Sequence, residues 1–291
     1  MTNMTLARRA WTHFEPVHAI VYFASEARER YAAIGLRGGW MGYFASRSAP
    51  MGAVTAEVVT AVFHNFAPSM VHRAIPDAWE YAGRDKVLAA RLDAVDGAMR
   101  RLWADQVDST AVAECAELAL EAASHLSIDG RPLYAGHVGL DVPGQPHLAL
   151  WHACTLLREH RFDGHVAALT VHGLSGLEAL VVQVAAGGGV DAASLRSFRG
   201  WTDEEWSAAE ARLRERGLLD ESGALSAGGI ALRTTVENAT DGLASDPWDR
   251  LPAARRERLL TLLANLAARL EGDGGLVYPN PIGVSRPVFG S

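Results

Sequence analysis

Apolar residues recur at helical spacing along most of this chain, and short glycine- or proline-containing breaks separate the runs. Leu6 to Ala33 carries Trp11, Phe14, Val17, Ile20 and Val21 in that rhythm, with Glu15-Pro16 predicting a kink or a restart. Gly35 to Gly42 and Arg47 to Gly52 interrupt it. Thr55 to Phe63 predicts a helix that opens in its own acidic first turn, and Phe66-Ala67-Pro68 opens another that runs to Trp79. Asp85 to Trp103 and Ala111 to Leu126 predict two longer helices, each with an apolar stripe. Ser127 to Pro146 is rich in glycine and proline and poor in periodic apolar positions, the pattern of a linker.

Beyond the linker, Leu148 to Arg161 predicts a helix, Asp163 can cap a second one starting at His165, and Leu177 to Ala186 predicts a third. Gly187-Gly188-Gly189 separates it from a short helix over Asp191 to Phe198. Thr202 and Glu205 then stand at capping-box spacing before a helix that runs through Leu213 and stops at Gly217. Leu218 to Ser226 predicts two short strands joined by a turn, a β-wing at about 218–227, and Gly228 to Val236 starts another helix. Helix, short helix, helix and wing in that order describe a winged helix.

The two halves also resemble one another. His13 and His18 in the first answer His147 and His152 in the second, His18-Ala19 matches His152-Ala153, and Leu133-Tyr134 matches Val277-Tyr278. The register requires an insertion of about one helical turn around Glu159 to Phe162. The predicted fold is therefore mainly α, a tandem duplication of a winged-helix-like unit. Residues 1–145 form the first copy, and residues 146–291 the second, with its winged helix over about 190–245 and a C-terminal helix. Two such copies would pack as a pseudo-dimer within one chain. The bland alternative is that any two alanine-rich helical segments can be slid into partial agreement.

Composition fits a helical protein, with 49% hydrophobic residues in 291 and few Val/Ile-rich runs. Cys115 and Cys154 lie inside helical patterns, without a partner at metal or disulfide spacing, and read as core residues of a reduced protein. The N-terminus does not read as a signal peptide and no apolar run reaches membrane-spanning length, so a cytoplasmic protein with no membrane partner is expected. Net charge is −7, which argues against nonspecific attraction to nucleic acid or anionic lipid. P-loop, dinucleotide, nucleophile-elbow and H-E-x-x-H signatures are missing, which disfavours nucleotide-dependent chemistry, serine hydrolysis and zincin-type proteolysis.

The segment RLRERGLLDESGALSAGGIALRTTVE resembles the winged helix of MarR-type regulators. More widely, EPVHAIVYF, GLRGGWMGYFASRSAPMG, LREHRFDGHVAAL, GWTDEEW and VYPNPIGVSRP resemble an actinobacterial protein family with this MarR-like segment. The resemblance implies a winged-helix scaffold and carries no activity with it. A DNA reader needs basic side chains on its recognition helix and wing. Here residues 196–241 hold six arginines against nine acids, the helix opens on Asp203-Glu204-Glu205, and the wing has no basic residue. DNA binding is therefore not expected. Arg212, Arg214 and Arg216 are the surviving candidates for it, and they read more simply as a solvated face paired with Glu210 and Glu215.

Candidate chemistry concentrates elsewhere. Five histidines fall between His147 and His172, around the run Arg158-Glu159-His160-Arg161-Phe162-Asp163-Gly164-His165. Glu159, His160, Asp163 and His165 are candidates for acid/base catalysis, and Arg158 and Arg161 for holding an anionic ligand. Five residues turn a helix by about 500°, so His147 and His152 cannot chelate together. Across a duplication, however, His18 and His152 would face one another, where they could ligate a transition metal or haem or line a central pocket. In the first copy Trp40, Tyr43, Arg47, His64 and Asn65, with Phe44, could bind a flat anionic molecule or form an ordinary aromatic core. Two functions follow: a small-molecule- or cofactor-binding protein, with the cofactor unidentified and enzymatic activity open, or a ligand-responsive MarR-like transcription regulator.

Overall fold

The computed structural model describes residues 4–187, 189–272 and 274–287, so Gly188 of the glycine run lies outside the described residues. The described chain is mainly helical. Its first part comprises α1 (Leu6–Phe23), α2 (Ser25–Ala33), α3 (Gly38–Ser48), α4 (Ala56–Phe63), α5 (Pro68–His72), α6 (Ala78–Tyr81), α7 (Arg84–Trp103) and α8 (Thr110–Ala123). A short α9 (Pro132–Val138) leads to the longest helix, α10 (Pro146–Val171). After it come α11 (Gly176–Ala185), α12 (Ala192–Arg199), α13 (Asp203–Glu215), α14 (Ala227–Leu243), α15 (Asp246–Arg250) and α16 (Ala253–Ala268).

α10 is the axis of the molecule. It packs against α1, α7, α8, α9 and α14, and 19 of its 26 residues are buried. At 1.5 Å per residue it spans about 39 Å, long enough to contribute side chains to all three apolar clusters of the fold. The sequence predicted two helices here, with Asp163 capping the second. The observed helix is continuous, and neighbours surround it from His147 to Arg161, so that stretch has no single stripe to mark its length. Asp163 does cap a helix, though another one: its carboxylate accepts from the Tyr134 amide at 3.0 Å, in the first turn of α9. The expected linker is likewise not loose. Pro132 starts α9, and Arg131 donates to the carbonyls of His160 and Leu243.

The core does not divide at residue 145. One apolar cluster joins Phe14, Val17 and Ile20 of α1 to Met99, Cys115, Leu150, Cys154, Trp248, Leu259 and Leu263, so the two ends of the chain close over the same centre. A second cluster, around Phe44, Phe63, Phe66, Val71 and Ile75, belongs to the N-terminal half. A third, around Leu177, Leu195, Trp206, Leu213 and Val236, lies under α11 to α14.

In this third unit local sequence governs local structure. Ser175 and Glu178 form a capping box at α11, and Thr202 and Glu205 form the expected one at α13. Gly200, at φ +76°, ends α12 in the left-handed conformation and turns the chain into α13 within three residues. The predicted pair of wing strands is reduced to one antiparallel bridge between Leu219 and Leu225. The Asp220 carboxylate accepts from the amides of Ser222 and Ala224, at 2.9 and 3.0 Å, closing a tight turn. Ser226 then caps α14 at once, leaving no length for a strand.

Candidate functional site

Between α1, α10, α11 and α14 lies a cavity of about 350 Å3, also walled by Tyr43, by the loop His64-Asn65-Phe66, by Arg199 and by Ile282-Gly283 near the C-terminal end. Backbone contacts hold this wall. Gly176, the first residue of α11, packs so close to His64 that a Cβ there would overlap the His64 carbonyl oxygen. His64 itself ends α4 at φ +60°, an uncommon conformation for a non-glycine residue. Trp201 Nε1 donates to the Asn65 carbonyl at 3.1 Å, and the Ala67 amide to the Arg199 carbonyl at 2.9 Å. The first-half loop is thus fixed to α11 and α12.

Behind the cavity stands a buried ion-pair network. Arg47 Nε and Nη2 each donate to Glu159 at 3.0 Å, Arg158 Nη1 donates to Glu159 at 2.8 Å, and Arg158 Nε reaches Glu15 at 3.3 Å. Glu15 also accepts from Trp11 Nε1 at 3.1 Å. Both guanidiniums lie 4.5 Å from the Phe162 ring centre, and Phe63 covers Arg47 at 4.3 Å. Burial alone would raise Glu159, but Arg158 and Arg47 overcome it and hold the carboxyl well below the usual range. Glu159 is therefore a fixed counter-ion, occupied on both sides.

The other arginines of the wall differ in their partners. Arg161 Nη2 donates to Asp241 at 2.8 Å, and Arg8 pairs with Asp241 at 2.9 Å and Glu237 at 3.2 Å. Arg199 has no carboxylate among the described residues. It is 6% exposed, gives Nη2 to the Pro281 carbonyl at 2.6 Å, lies 4.6 Å above the Phe66 ring, and leaves Nε without a partner. Burial, together with Arg47 and Arg158 and against Tyr43, lowers it to about 10. Arg161 Nη1 and His64 Nε2 are also buried and have no hydrogen-bond partner among the described residues. Such groups cost free energy unless something satisfies them. His165 completes the wall, its Nδ1 2.9 Å from Thr240 Oγ1, and burial lowers the ring to about 4.

The structure thus brings Tyr43, Arg47, His64, Asn65, Arg158, Arg161 and His165 from both halves into one cavity wall, with Glu159 directly behind. The remaining candidates lie elsewhere. His18 is fully buried, with Nδ1 2.9 Å from Thr155 Oγ1 and Nε2 2.8 Å from the Tyr22 hydroxyl, and it stacks on Trp151. Both its nitrogens are engaged, so it is not free to share a metal or haem iron with His152. His152 is buried, lowered to about 4 by desolvation and by Arg91. Among the described residues no group of three or more His, Cys, Asp or Glu side chains is arranged to hold a metal. His160 packs edge-on against Tyr134, away from the cavity, and desolvation and Arg131 lower it to about 3. Asp163 is pushed up to about 7 by burial while capping α9. Trp40 packs on Tyr43, Phe44 and Phe66 at the outer edge.

On α13, Arg212 pairs with Glu178 at 3.1 Å and Arg214 with Glu210 at 3.3 Å, while Arg216 donates to the Gly173 carbonyl at 2.9 Å. Asp203, Glu204 and Glu205 are exposed at its start. The sequence does not single out Arg8, Glu15, Gln183, Arg233 or Thr240 as wall residues, and Arg199 stands in it only as one of the six arginines of residues 196–241. No local motif marks these positions, because each enters the wall by long-range packing.

No single helix among the described residues is long and apolar enough to cross a membrane. Comparison with curated proteins and with solved structures gives no match. Residues 7–277, nearly the whole chain and both halves of the cavity wall, match the helix-turn-helix family, and the chain belongs to that family.

Proposed function

We propose that this helix-turn-helix protein binds a small organic anion in the arginine-lined cavity. The observation that carries the reading is Arg199, a buried guanidinium on the wall with no carboxylate among the described residues and with Nε unpartnered. An anion entering the cavity supplies the missing counter-charge, and its oxygens accept from Arg199 and from Arg161 Nη1. Tyr43, Phe66, Trp11 and Phe162 give the wall aromatic surface for the ligand's body. The pairing of Arg212, Arg214 and Arg216 and the acidic start of α13 support the further reading that DNA binding through this helix has been lost. An origin of the two halves by duplication belongs to the same proposal, resting on the repeated histidine pairs in the sequence.

Benzoate is a suitable first probe, measured by calorimetry and by thermal unfolding. At about a hundred times its Kd a ligand of the folded state adds about 2.7 kcal/mol of stability. Benzoate should raise Tm of the wild type, and Arg199→Met should abolish the rise while the variant still unfolds cooperatively. An unchanged response in Arg199→Met would overturn the assignment. The rival reading, a ligand-responsive DNA-binding regulator, rests on the helix-turn-helix architecture itself. It predicts a salt-dependent mobility shift with DNA that Arg212→Ala and Arg214→Ala weaken.

A further inference from the structure

Hydrogen-bond donors dominate the cavity wall, where guanidiniums outnumber every other polar group. Glu15, Glu237 and two imidazoles stand among them, and of the two rings His165 has its tautomer fixed by its neighbours. His165 Nδ1 is 2.9 Å from Thr240 Oγ1, and that hydroxyl lies 2.8 Å from the Val236 carbonyl oxygen. A carbonyl oxygen only accepts, so the single hydroxyl proton of Thr240 goes to Val236. The contact with His165 then requires the imidazole proton to sit on Nδ1, with the hydroxyl oxygen accepting it. Nε2 is left with a lone pair and has no hydrogen-bond partner among the described residues. Burial, with Arg161 and Arg158 against Glu237, keeps a second proton off the ring at neutral pH.

An anion alone would satisfy the guanidiniums and leave this acceptor stranded, its lone pair facing further negative charge. We infer that the ligand is an organic anion that also carries a hydroxyl or N–H donor, which His165 Nε2 accepts, with Thr240 fixing the tautomer. This selects hydroxy- or amino-substituted acids over their unsubstituted counterparts, because a buried acceptor deprived of its donor discriminates strongly. The inference deepens the anion-binding reading and rests on it.

The test compares benzoate with the three monohydroxybenzoates by calorimetry on the wild-type protein, His165→Phe, His165→Gln and Thr240→Val. At least one hydroxy isomer should bind the wild type roughly tenfold more tightly than benzoate. That advantage should fall to about twofold or less in His165→Phe, persist in His165→Gln, whose amide oxygen accepts, and shrink in Thr240→Val. Cooperative thermal unfolding establishes that His165→Phe is folded, and the advantage is read as the ratio of hydroxybenzoate to benzoate affinity within each variant. Benzoate binding as tightly as all three isomers, or an advantage that survives His165→Phe, would overturn the inference and leave the anion site standing. Failure of all four probes to bind the wild type would remove the anion reading and this inference together.

Discussion

Glu159→Gln is the sharpest test of how the cavity is built. The substitution keeps volume and shape and removes one charge from a site where Glu159 is fully buried and its partners Arg47 and Arg158 are 1% and 7% exposed. Three charge-assisted hydrogen bonds of 2.8 to 3.0 Å converge on this carboxylate. In the variant, Glu15 is the only carboxylate among the described residues left in contact with the pair, at 3.3 Å from Arg158 alone. Arg47 becomes a buried cation facing an amide. Breaking a buried pair by removing one partner costs about 3–5 kcal/mol, because the remaining charge is desolvated without compensation. For a chain of this size a loss of that order lowers Tm by roughly 6–10 °C. The contrast is Glu121→Gln, which removes an exposed pair with Arg255 whose side chains are 42% and 51% exposed. That change should cost no more than about 1 kcal/mol. Urea unfolding followed by circular dichroism at neutral pH measures both. The folded carboxyl titrates below its unfolded value of about 4.3, so its contribution is present above that pH and lost as pH falls. Wild-type and variant stabilities should therefore converge in acid. A Glu159→Gln protein within about 1 kcal/mol of wild type at neutral pH would refute the reasoning, since the network would then have no net electrostatic role.

Two further expectations follow from burial. His137 and His160 are lowered to about 3 and His152 and His165 to about 4, in each case chiefly by desolvation, against about 6.5 in the unfolded chain. For these bases the neutral folded form is favoured. Their contribution is complete above about pH 6.5 and falls as pH drops toward the folded values, by up to about 1.4 kcal/mol per pH unit for each ring. Urea midpoints that stay flat from about pH 6.5 to 4.5 would contradict this. Gly176→Ala should disturb the cavity more than the fold's centre, because the added Cβ meets the His64 carbonyl. A Tm loss of roughly 2–6 °C, for about 1–3 kcal/mol of overpacking, should accompany weakened benzoate binding, and wild-type values for both would contradict the packing argument.

What the sequence determined by itself is what short-range physics controls. The capping box of Thr202 and Glu205 and the helical character of the chain follow from residues a few positions apart, and the structure contains them. Arg158, Arg161, His165, Arg47, Tyr43 and His64 were legible as candidates because polar residues inside helical, apolar patterns must find partners or line a space. Only the tertiary structure decided which did which. It made α10 one helix where the pattern implied two, since its stretch from His147 to Arg161 is buried on every side and has no stripe to read. It gave Glu159 to Arg47, His18 to Thr155, and Asp163 to the first turn of α9, all through partners far away in sequence. Arg199 illustrates the limit most directly. Its residue type implies a surface cation, yet packing against Phe66 and the Pro281 carbonyl buries it with no carboxylate among the described residues and makes it the centre of the proposed site. Charge and burial oppose each other at such positions, and only the assembled fold decides the balance.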